Sequence, residues 1–163
     1  MTTQTASLAS LIDHILDTHH QYMKRELPRL EGLLQQGLEI HGRALAPMAA
    51  VFGPMKDELD GHLMKEERIL FPMIRALEGG AAAGTFHCGS VQNPIRVMFL
   101  EHDSATEAMA SLREMTNGFA PPADAGEAVR ALYAGLAGME ADLKEHIRLE
   151  NEVLFPRAVE LEG

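Results

Sequence analysis

The chain has 163 residues, 46% hydrophobic and 23% charged, with a formal net charge of −10. That length suits one folded unit with a full core, so residues 1–163 are expected to form a single domain. The acidic balance argues against a nucleic-acid surface, and no apolar run approaches the roughly 18 residues a membrane span needs. The opening "MTTQTASLAS" has neither the basic start nor the apolar run of a leader, and Cys88 is the lone cysteine, so the expected compartment is a reducing cytoplasm.

Sustained alternation with β-branched residues is missing, so the elements read as helices. The first is expected from about Ser7 to Gln36, bending or restarting at Pro28. Residues 37–53 read as a long packed connection. The second helix is expected from Pro54 to Leu77, stopped by Gly79 and Gly80. Residues 79–92 form a second long connection holding His87 and Cys88. The third helix opens at "NPIRV", with Asn93 as N-cap and Pro94 at the first helical position, and fades near "TNGFAPP". The fourth opens at Asp124, with Glu127 as capping-box partner, and ends near Glu160. Four amphipathic helices without a sheet predict an all-α, antiparallel up-down four-helix bundle.

Two stretches repeat a pattern: "HLMKEERILFP" at 62–72 and "HIRLENEVLFP" at 146–156. Residues four apart on a helix share a face. His62 and Glu66 fall within the apolar stripe of Met55, Leu59, Ile69, Leu70, Met73 and Leu77. His146 and Glu150 fall within that of Leu132, Leu136, Met139, Leu143, Val153 and Leu154. His102 sits among Ile95, Met98, Phe99, Ala105 and Met109. Lys65, Glu67, Arg148 and Glu152 read as solvated charge. One inward histidine is usually a hydrogen-bonded core residue, and one His-x-x-x-Glu is usually a surface pair. Two such pairs on apolar faces, with a third inward histidine, place buried carboxylates where only cations make them tolerable.

A metal pair shared by Glu66 and Glu150 and completed by histidines meets that need. In the first helix His19 and His20 flank the apolar face on either side, and periodicity does not choose between them. His14 points outward. His41 lies about 30 Å further along a straight helix and joins only if the chain folds back. Imidazole and carboxylate without thiolate suit iron or manganese better than structural zinc. Absence of Glu-x-x-His and of His-Glu-x-x-His argues against ferritin-like and metalloprotease sites.

These motifs, with "NPIRVMFLEHD" and "LIDHILDTHHQYMKRELPRL", resemble the hemerythrin-like, or HHE cation-binding, domain. They most resemble the di-iron domain of the repair-of-iron-centres family, linked to iron–sulfur cluster recovery after nitric oxide and oxidative damage. The resemblance spans nearly the whole chain and implies a four-helix bundle around two iron ions, oxo- or hydroxo-bridged. It implies Glu66 and Glu150 as bridging carboxylates and His62, His102 and His146 as ligands. Alignment of "ELPRL" selects His20 over His19, and His41 in "EIHG" matches a further family histidine.

The expected ligands are dioxygen or nitric oxide, and the expected partners are iron–sulfur proteins. Reduction of either gas at the centre is the activity such a site would support. The alternatives are a non-catalytic oxygen- or iron-sensing or storage module, and an interaction domain whose fold depends on iron. Two departures stand out. Thr106 occupies the place of a second histidine in oxygen-carrying hemerythrins, and the vicinal cysteine pair of an N-terminal family domain is not in this sequence. Cys88, in the connection leading into the third helix, reads as an ordinary loop cysteine, the alternative being a partial substitute for that pair.

Overall fold

The computed structural model describes residues 6–82 and 84–163, and no strand occurs among them. Residues 1–5, part of the stretch read as lacking a leader pattern, and Ala83 in the second connection lie outside the described residues. Four long helices cover residues 8–41, 46–78, 92–115 and 127–162, and pack as the expected bundle. The first lies along the fourth and the second along the third. No described helix is long and apolar enough to cross a membrane.

Distant carboxylates tie the helix ends together. Glu78, at the end of the second helix, accepts from the backbone N–H groups of Leu8 (2.6 Å) and Ala9 (2.9 Å) at the start of the first. Glu162, at the end of the fourth, accepts from Val91 N–H (2.7 Å) at the start of the third. A negative group on these free donors also complements the helix dipole.

Several expected boundaries move. The 37–53 connection is almost all helix: the first helix runs through Pro28 to His41, and the second starts at Ala46 after a 3-10 turn at Gly42–Ala44. Buried Leu34, Gly37, Leu45, Met48 and Phe52 continue the apolar pattern through the segment, and Pro47 sits in the first turn, where its missing N–H is harmless. Asn93 is not the N-cap of the third helix, which begins at Gln92; Glu162 supplies the acceptor, and Asn93 donates its side chain to Cys88 O. The fourth helix begins at Glu127 after Gly126, with Asp124 outside it and no capping box.

Three helices contain a π segment: Leu16–His20, Glu66–Leu70 and Glu150–Leu154. The N–H groups of Gln21, Phe71 and Phe155 each bond five residues back, to Leu16, Glu66 and Glu150. Pro72 and Pro156 follow directly, where a residue without N–H has no ladder bond to lose as the register returns to α. The extra residue rotates the faces downstream. Ile69, expected inside, is 47% exposed, while Leu70 and Phe71 fill the core. Phe99, expected beside His102, is 38% exposed and sets its ring edge-on against Phe155.

The apolar core is split in two. One cluster joins Met23–Leu34 to Leu45–Leu63, Ala105–Leu112 and Val129–Leu143. The other joins Leu8–Ile15 to Leu70–Leu77, Val91–Met98 and Leu149–Ala158. Between them lies a seam of buried polar residues: His19, His20, His62, Glu66, His102, His146 and Glu150.

Candidate metal centre

The first two helices bring His20, His62 and Glu66 to the seam, and the last two bring His102, His146 and Glu150. Their donor atoms fall into two groups, each within 4.8 Å: His20, Glu66, His146 and Glu150, and His62, Glu66, His102 and Glu150. Both glutamates belong to both groups. Glu66 turns Oε2 to His20 Nε2 (3.1 Å) and Oε1 to His62 Nε2 (3.2 Å). Glu150 turns Oε1 to His146 Nε2 (2.8 Å) and Oε2 to His102 Nε2 (3.0 Å). Each carboxylate thus gives one oxygen to each group.

The imidazoles are oriented from behind. His20 donates Nδ1–H to Glu67 (2.9 Å) and His62 to Glu101 (3.1 Å), each carboxylate also meeting an exposed lysine, Lys24 or Lys65. His102 Nδ1 lies 2.8 Å from Asn151 Oδ1. With Nδ1 donating, each neutral ring presents a bare Nε2 inward. His62 and His102 then point two lone pairs at each other across 3.1 Å, and His20 points one at a carboxylate. Without a proton or a metal ion between them these contacts repel.

Electrostatics agree. Burial disfavours the charged form of His62, but the Glu66 carboxylate, with Glu150 and Glu101 behind it, outweighs burial and lifts its pKa from 6.5 to about 9. His146 is raised for the same reason, burial being overcome by Glu150 and then Glu66. Burial would raise Glu150, yet the His146 and His102 rings hold it well below the usual carboxylate range. Such a cluster draws positive charge. Among the described residues, Glu66 Oε1 and Glu150 Oε2 are buried without a partner in hydrogen-bonding geometry. Four imidazole nitrogens and two shared carboxylates form a nitrogen-and-oxygen donor set without thiolate, suited to a metal cation.

All six expected residues, the four of the repeat together with His102 and His20, meet at these groups. His41 does not. The helix continues unbroken through Pro28, so the chain reversal that would bring it in does not occur, and His41 ends the helix exposed. His19 is buried but outside both groups; it stacks on His146 (centroids 5.3 Å, 13° between planes) and bonds Asp142. Thr106 donates its hydroxyl to His102 O and supplies nothing to the centre. Cys88 donates to Met73 Sδ, outside both groups. Glu67 is the one residue misread as solvated charge. It follows Glu66 and is turned toward His20 from the edge of the seam, and no periodic signal marks it.

Shared carboxylates and inward imidazoles at the seam of a four-helix bundle define a hemerythrin-type cluster. The hemerythrin HHE cation-binding domain matches residues 11–158, and the chain belongs to that family. It is 42% identical over 158 residues to a probable iron-sulfur cluster repair protein of Haemophilus influenzae, covering 95% of this chain and 67% of that one. It is 40% identical over 159 residues to the iron-sulfur cluster repair protein YtfE of Musicola paradisiaca, covering 96% and 68%. The Escherichia coli protein of the same name is 38% identical over 159 residues.

Proposed function

We propose that the protein holds two iron ions at this centre and serves in iron–sulfur cluster repair, responding to nitric oxide or oxygen stress. The observation that carries the reading is the division of each carboxylate: Glu66 and Glu150 both face both histidine pairs. The cluster-repair relatives, matched over nearly the whole chain, supply the biological direction. His20 and His146 would hold one iron, His62 and His102 the other, with the glutamates spanning both.

Bound there, the irons would supply positions for a diatomic ligand and a source of iron for damaged clusters. The chain's own part is to fix four Nε2 lone pairs inward, exclude bulk water with two apolar clusters, and neutralise excess charge with two carboxylates. With Thr106 bonded to its own helix, the centre has four imidazoles, fewer than an oxygen carrier's set. That favours exchange or reactivity over simple reversible carriage.

Anaerobic reconstitution should load two irons per chain and give near-ultraviolet bands on oxidation. The loaded protein should restore activity to a nitric-oxide-damaged iron–sulfur enzyme, and the metal-free protein should not. Uptake of zinc alone would sink the metal assignment. Two-iron loading without any restoration would leave a sensing or storage role in place of repair.

A further inference from the structure

Three of the four converging imidazoles are held from behind, by Glu67, Glu101 and Asn151. The fourth is not. His146 turns Nε2 to Glu150 and keeps Nδ1 buried with no partner among the described residues. One turn earlier on the same helix, Asp142 has the complementary defect. Its Oδ1 accepts from His19 Nδ1 at 2.9 Å, while Oδ2 is buried with no donor. Residues four apart on a helix lie on one face, so a lone donor and a lone acceptor stand on neighbouring turns. Buried polar groups are rarely left unpaired, and metal-bound histidines nearly always donate their second nitrogen.

The repeat explains why the acceptor comes from an unexpected place. In one half, His62 is held by Glu101, the residue before His102. The matching position in the other half, before His20, is His19, whose Nδ1 is already committed to Asp142. The His19 ring lies nearly parallel on His146. With Oδ1 pinned to the edge of that outer ring, Oδ2 is the oxygen that remains for the inner one.

We propose that Asp142 is the positioning residue for His146: its second carboxylate oxygen accepts the Nδ1–H, directly or through one water, with His19 holding the carboxylate in place. This fixes the tautomer that presents Nε2 to the metal and completes the outer ring of acceptors. The proposal rests on the reading that the cluster holds two metals.

The test follows iron extraction by a strong chelator from the loaded protein, for wild type, Asp142→Ala, Asp142→Asn and His146→Ala, with melting of each metal-free form alongside. Asp142→Ala should speed release of one iron by about 10- to 100-fold and leave the other at the wild-type rate. The iron released quickly should be the one that His146→Ala fails to retain. Asp142→Asn, which keeps an acceptor oxygen, should fall between. A merely structural role would instead lower metal-free stability and loosen both irons alike. Wild-type rates for both irons in Asp142→Ala, or equal acceleration of both, overturns the proposal while leaving the two-iron reading standing. A wild-type chain that loads no iron overturns both.

Discussion

His19 and His20 show what a single position decides. Both are buried, yet only His20 offers a nitrogen to the clustered donors. His20→Ala should therefore lose or destabilise one iron, whereas His19→Ala should keep both with a shifted visible spectrum; iron analysis of the two variants side by side checks this. Glu67 is half-buried with one oxygen on His20 Nδ1, and Glu152 is exposed. Glu67→Ala should weaken iron binding by about 10- to 100-fold, while Glu152→Ala should leave it unchanged in a competition titration. His62 carries the pH dependence. Its pKa in the metal-free fold is raised from 6.5 to about 9, so its stabilising contribution is full below 6.5 and is lost as pH rises through about 9. Metal must displace that proton, so loading at about pH 7.5 should release acid into a weak buffer. The proton yield should shrink as the loading pH passes about 9. A yield independent of pH would mean that His62 is already neutral.

At the scale of elements, the π segments separate what the sequence disclosed from what it hid. The repeated His-x-x-x-Glu reaches only the first residue of each π segment, before the register has shifted, so the inward facing of His62, Glu66, His146 and Glu150 is legible in the sequence. Ile69 lies inside the insertion, and its outward turn is not. The Phe-Pro pairs at 71–72 and 155–156 were the available signal, since a proline there marks a ladder already interrupted. Likewise Asn93 and Asp124 read as local N-caps, although at Val91 the acceptor is a carboxylate 71 residues away. Long-range capping leaves no local trace. The register has a direct check. Leu70→Ala should destabilise by about 2–5 kcal/mol, as for a buried leucine, while Ile69→Ala should stay within about 0.5 kcal/mol. Equal losses in chemical denaturation would place the π segment elsewhere.

For the whole molecule, the divided core makes the metal centre a mechanical part of the bundle. Among the described residues the two apolar clusters are separate, with the polar seam between them, and all four helices pass through it. Glu78 and Glu162 clamp the end where the first and third helices begin. Bonds such as His20–Glu67, His62–Glu101 and His19–Asp142 join neighbouring helices around the seam, but without a cation the inward-facing lone pairs and carboxylates push the helices apart there. The carboxylates that raise His62 and His146 favour protons on these rings, which would relieve part of this repulsion. Metal present at 100 to 1,000 times its dissociation constant would add about 2.7–4.1 kcal/mol, or about 5–15 °C in melting temperature for a chain of this size. The loss on chelation should be local as well as global. Amide exchange should accelerate most around His20, His62, His102 and His146, and least near Leu8 and Val91, where the glutamate clamps remain. Coincident melting of loaded and metal-free protein would show instead that protons alone can satisfy the seam.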